Sequence, residues 1–281
     1  MAGQSYLEQI RQLEPLRDHQ RIVFLSMRLE FPFDTTRALE LALFRTYCVP
    51  SISTLLDRTG EFGQRAQKRY DDTDILISEL VDWGYDSERG RRAISRINAL
   101  HGRFQIANRD FLYVLSTFIY EPIRWNARFG WRTLCEEEKQ AYYHFWREVG
   151  WRMNIEDIPE SYEAFESFNR DFEERHFRFS ETNQRVGIAT RELFVSWLPR
   201  PLAPLVRASI HALLDEPMLT AFGFPRPSRL MRWTVNSALR ARAFALRFTP
   251  ARRQPLLRTE LRQTTYPDGY TIEHVGPENA E

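Results

Sequence analysis

The chain has 281 residues, 43% of them hydrophobic and 14% aromatic, which is ordinary for a globular protein with a core rich in large rings. A formal net charge of +1 argues against a global field that would draw it to nucleic acid. Two distant cysteines, Cys48 and Cys135, argue against a disulfide framework or a cysteine zinc site.

The start, MAGQSYLEQIRQLEPLRDHQ, has no apolar h-region, so no signal peptide is expected. No apolar run approaches the ~20 residues that span a bilayer. The expectation is a cytoplasmic protein in a reducing compartment, with no transmembrane segment.

From there a 3.6-residue period predicts helices at 5–20, 35–47, 51–68, 70–84, 87–103, 109–128, 136–152, 160–179, 181–197, 202–214 and 228–246. Asp86-Ser87, Thr133 and Ser161 read as helix starts, and Glu136–Glu138 put acids where the helix dipole favours them. The breaks are short: WGYDS, IPE, LPRP and FGFPRP. The segment 226–262 carries ten arginines and one acid, Glu260. Its helix reads either as a membrane-surface helix or as a helix packed on the domain with solvated arginines. Strand-like alternation occurs only in TTYPDGYTIEHV, where Pro267-Asp268-Gly269 suits a small hairpin. The fold expected is one compact all-α domain of about ten helices over 1–248, with 249–281 as a looser tail.

One helix face raises a chemical question. Ile94, Ile97, His101 and Phe104 share a stripe in RINALHGRF. Upstream, Arg69, Thr73, Leu76 and Leu80 share another, with Asp72 beside it. The short connection WGYDS folds the two helices into a hairpin, with His101 and the Arg69/Asp72/Thr73 group towards one cavity. An imidazole on an apolar face is what haem iron uses as a proximal ligand. The plainer alternatives are a hydrogen-bonded core histidine and a structural Arg–Asp pair.

The order of motifs resembles the MpaB family of oxygenases and, more distantly, the latex-clearing proteins or rubber oxygenases. The likeness rests on RYDDT at 69–73, the stretch 84–132, FWREVGWRMNIEDIP at 145–159 and the region 172–227, about two-thirds of the chain. The resemblance implies an all-helical haem b protein, with a buried haem pocket, that uses O2 to cleave or oxidise a C=C bond of a hydrophobic, isoprenoid substrate. His101 in ALHG takes the place of the family's proximal ligand, and so of the metal-binding residue. The family's distal R-x-x-K-T pattern reads Arg69-Tyr70-Asp71-Asp72-Thr73 here, with Asp72 in place of the lysine. Arg69, Asp72 and Thr73 are therefore the candidate catalytic residues. The polar N-terminus departs from the tethered fungal members. The absence of C-x-x-C-H implies non-covalent haem.

Asn98, one turn before His101, is a candidate for orienting groups near the ring, or else it satisfies a neighbouring backbone. Arg132 is a candidate partner for a haem propionate, or else a cation–π partner of a tryptophan. His144 and His211 read as core or interface histidines, His176 as solvated, and Asp110 as a helix cap. Three rivals remain. A terpene cyclase needs DDxxD spacing, which Asp71-Asp72-Thr73-Asp74 lacks. A di-iron enzyme needs two Glu-x-x-His pairs, and Glu173-x-x-His176 is the only one. A non-catalytic haem sensor or carrier has little use for a polar distal side.

Overall fold

Proline and glycine decide where the first helices stop. Ser5 caps α1 (Tyr6–Arg11) through a capping box with Glu8, and Pro15 starts α2 (Pro15–Phe24) afresh. The single helix expected at 5–20 is therefore two. A π-helical segment, Leu25–Glu30, continues α2 and is buried except for Glu30. Next come α3 (Pro32–Thr46) and α4 (Pro50–Thr59). Gly60, at φ 71°, ends α4 in the left-handed region, so 51–68 also divides, into α4 and the single turn α5 (Glu61–Gln64).

The computed structural model describes residues 5–277. The rest of the bundle comprises α6 (Ala66–Trp83), α7 (Glu88–His101), α8 (Asn108–Phe129), α9 (Glu136–Arg152), α10 (Tyr162–His176), α11 (Glu181–Ser196), α12 (Ala203–Leu213), α13 (Glu216–Phe222) and α14 (Arg229–Leu246). The protein is all-α, and no strand forms among the described residues. Ser87 and Ser161 cap α7 and α10, as their sequences predict. Cys135 rather than Thr133 caps α9, with Glu138 closing the box. Helix α13, too short for a periodic signal, is capped by Asp215.

The main core lies where α2 packs on α9, α3 on α8, and α8 on α9. Tyr120, Tyr142, Tyr143, Phe145, Trp146 and Phe165 are fully buried there. Helices α6 and α7 fold back on one another across the turn at 84–87. At Gly90 a Cβ would lie 2.1 Å from the Gly84 carbonyl oxygen, so only glycine lets α7 start this close to the turn.

The C-terminal segment is pinned rather than loose. The expected hairpin is not formed; 3-10 turns at Arg258–Glu260 and Ile272–His274 stand among irregular chain. Arg258 makes a two-pronged pair with Asp74 at 2.7 Å. The Thr259 and Thr265 amides donate to Asp82 (3.0 Å) and Asp71 (2.8 Å). Tyr266 and Tyr270 donate to Asp72 (2.5 Å) and Glu79 (2.6 Å). The acidic side of α6 is thus a rail for residues 258–270. Ile272 and Val275 complete the attachment in the main core. No helix among the described residues is long and apolar enough to cross a membrane.

Candidate functional site

The α6–α7 hairpin sets the site. At about 1.5 Å rise per residue, Arg69 and His101 both lie roughly 20–25 Å from the turn, hence at the same end. Leu76 and Leu80 of the predicted α6 stripe are buried, and so are Ile94 and Ile97 of α7. Helix α7 ends at His101, two residues short of the expected 87–103, and Phe104 lies beyond it, exposed.

His101 is half-buried, with its ring edge-on to Phe111 at 5.3 Å. Its Nδ1 is buried and has no hydrogen-bond partner among the described residues. Burial, and then the charge of Arg69, push the imidazole down to about 4. The ring is therefore neutral at physiological pH, the state in which histidine ligates a metal. This is not the satisfied core histidine of the plainer reading.

Arg69 and Thr73 meet as predicted: the Arg69 guanidinium donates to the Thr73 hydroxyl, which donates in turn to the Arg69 carbonyl at 3.0 Å. Arg69 also lies over the Phe62 ring at 5.8 Å. Phe62 packs edge-on against Tyr47 at 5.1 Å. These rings from α5 and the end of α3 wall the arginine, and single-helix periodicity could not reveal them, because they come from other elements.

The remaining candidates do not join this group. Asp72 turns to the C-terminal segment, where Lys68 (3.0 Å) and Tyr266 (2.5 Å) both donate to it. Lys68 also reaches the Gly276 carbonyl at 2.6 Å. Asn98 donates to the Arg152 carbonyl at 2.9 Å, the backbone role left open in the sequence. Arg132 pairs with Glu30 (2.9 Å) and Glu138 (2.6 Å) and lies over Phe31 and Trp131, so its guanidinium is committed to the bundle.

The other histidines have structural partners. His176 is half-buried rather than solvated, bonded to the Phe172 carbonyl at 2.8 Å and stacked on that ring. His211 stacks on Phe224 and contacts Arg191 at 3.2 Å. His144 packs beside His19 and Tyr143. Asp110 makes no cap bond; it sits in the first turn of α8, whose N-cap is Ala107. Glu173 binds Arg45 and Tyr113, so the lone Glu-x-x-His pair is occupied by an ion-pair network. Among the described residues no three His, Cys, Asp or Glu side chains converge to hold a metal by themselves.

A cavity of about 40 Å³ lies beside Thr73, lined also by Leu43, Tyr70, Ile77 and Phe118. It has room for a few waters and not for a porphyrin, so it is not the buried haem pocket expected. Glu40, a further wall residue, accepts from Tyr70 at 2.7 Å, and burial raises its pKa. The donor set fits haem in one specific respect. A histidine that holds haem iron needs a neutral, uncommitted imidazole, and His101 supplies one within the field of the Arg69 cation.

Residues 41–248 match the family model described as ER-bound oxygenase mpaB/B'/rubber oxygenase, catalytic domain. The chain is 30% identical over 239 residues to the ER-bound oxygenase mpaB' of Penicillium brevicompactum, covering 79% of this chain and 56% of that protein. It is 37% identical over 224 residues to the mpaB of the same organism, covering 72% of this chain and 57% of that protein. With mpaB of Penicillium roqueforti it shares 40% identity over 134 residues, 46% of this chain and 45% of that protein. The chain spans about half the length of the curated relatives it matches.

Proposed function

The chain belongs to the oxygenase family of mpaB, mpaB' and the rubber oxygenases, and on that premise we propose that it is a haem b-dependent oxygenase. Its substrates are O2 and a hydrophobic isoprenoid whose C=C bond is cleaved or oxidised. The observation that carries this reading is the neutral His101 imidazole, its buried Nδ1 unpartnered, beside Arg69.

His101 would hold the group, with no covalent attachment of its macrocycle to the chain. Haem, when bound, supplies the iron that activates dioxygen. Arg69 contributes a permanent positive charge to the same end of the hairpin, and a preorganised cation of this kind stabilises negative charge developing on oxygen. Thr73, bonded to Arg69 in both directions, holds the guanidinium in one rotamer. Asp72 belongs to the scaffold: it accepts from Lys68 and from Tyr266 and so ties α6 to the C-terminal segment. We place the enzyme on the cytoplasmic side, near a membrane surface in which an isoprenoid dissolves.

The test is the absorption spectrum of the purified protein with a pyridine haemochrome assay, for wild type and His101→Ala. The expected result is a Soret band and haem b in the wild type, extractable with acidified butanone and lost in the variant. A variant with wild-type haem content and spectrum would overturn the assignment.

A further inference from the structure

We propose that α14 docks this protein onto the surface of an anionic lipid bilayer. The inference stands on exposure and charge alone and fails or holds separately from the oxygenase reading.

Helix α14 has 18 residues, and only Ala243 is buried. Leu230, Trp233, Phe244 and Phe248 are 71%, 66%, 60% and 75% exposed. At about 100° per residue these positions fall within roughly 60° of one another, with Ser237 and Ala241 between them on the same stripe. They form one exposed stripe, apolar at both ends of the helix and just past its C-terminus, with the half-buried Ser237 at its middle.

The arginines of α14 divide into two sets. Arg232 pairs with Glu216 at 3.0 Å, and Arg242 pairs with Asp34 at 3.0 Å while lying over Phe33. These two fasten the inner side of the helix to the domain. Arg229, Arg240 and Arg247 follow one another along a single edge of the apolar band. Arg229 and Arg240 are exposed and make no ion pair among the described residues. The helix contains no Asp or Glu.

A soluble surface rarely leaves such a band uncovered. A second copy seated on it would bring arginine rows together with no carboxylate on either band to pair them. An anionic bilayer supplies the missing negative charge. Its headgroup region also suits tryptophan and phenylalanine, and arginines at the edge of the band reach the phosphates.

The experiment is co-sedimentation of the full chain with phosphatidylcholine vesicles and with phosphatidylcholine–phosphatidylserine vesicles, at low and high salt. Binding to the anionic vesicles, weakened by salt, is expected. Each juxtamembrane arginine contributes about a five-fold gain in partitioning, so R229Q/R240Q weakens binding roughly 25-fold. W233E/F244E abolishes it while leaving the circular dichroism and thermal midpoint unchanged, because both side chains are exposed. Brominated lipid quenches part of the tryptophan emission in the wild type, and W233F, which still binds, loses that part. Three results would overturn the proposal: no sedimentation with anionic vesicles; equal binding to neutral ones; or binding that W233E/F244E leaves intact. A solution dimer that W233E/F244E splits, with no vesicle binding, would assign the band to a second copy instead and overturn it likewise.

Discussion

The two sides of α6 differ in what they leave unfinished. On the acidic side, Asp71, Asp72, Asp74, Glu79 and Asp82 all find donors, and five of those donors, Arg258, Thr259, Thr265, Tyr266 and Tyr270, lie in residues 258–270 of the C-terminal segment. On the other side, Arg69 and Thr73 are bonded chiefly to each other, at the same end of the hairpin as a histidine whose Nδ1 has no partner. A buried polar atom left alone costs about 1–3 kcal/mol unless a water, ion or ligand completes it, and His101 Nδ1 is one of several such atoms among the described residues. Asp72 and Thr73 are neighbours in sequence, yet one belongs to the attachment and the other to the candidate site. Proximity in a motif is therefore a weak guide to role; the completeness of a side chain's bonding is a better one.

The contrast can be strained first where the attachment is most buried. Arg28 and Asp82 form an ion pair with side chains 2% and 0% exposed, and Asp82 also accepts from the Thr259 amide. Asp82→Asn leaves the guanidinium without its counter-charge and should cost about 3–5 kcal/mol in urea unfolding. Turnover per bound haem should stay unchanged, because Asp82 lies at the turn end of α6. A loss of turnover at full haem occupancy would mean that the two faces are not separable.

A smaller effect sharpens the boundary on α7. Asn98→Ala removes the bond to the Arg152 carbonyl and should cost about 1 kcal/mol, with haem content unaltered in a pyridine haemochrome assay. A variant that keeps its stability but sheds haem would move Asn98 into the cofactor site.

Much of this was legible in the residues because it is local. The period of 136–152 matches α9 residue for residue, and the stripe that carries His101 buries Ile94 and Ile97. What escaped was non-local or conformational. Proline and glycine split two predicted helices, since Pro15 starts a helix and Gly60 adopts a positive φ that ends one. Tyr266-Pro267-Asp268-Gly269 carries hairpin chemistry, but the Tyr266 and Tyr270 hydroxyls are drawn to carboxylates on α6 instead of to a partner strand. The partner that decides the orientation of Asp72 is 194 residues away, beyond the reach of any spacing argument. Arg132 offered two readings, and the structure satisfies it with two carboxylates as well as two rings.

The central claim is that residues 69 and 73 serve the chemistry while residue 72 serves the scaffold. The most direct measurement compares Arg69→Ala and Asp72→Asn, with turnover per bound haem and unfolding free energy read from the same preparations. The account predicts that Arg69→Ala lowers turnover by ~10²–10³-fold with stability nearly unchanged, whereas Asp72→Asn lowers stability by ~1–3 kcal/mol and keeps wild-type turnover per haem. A stable Asp72→Asn protein that loses turnover as Arg69→Ala does, or an Arg69→Ala protein that turns over at the wild-type rate, would contradict it.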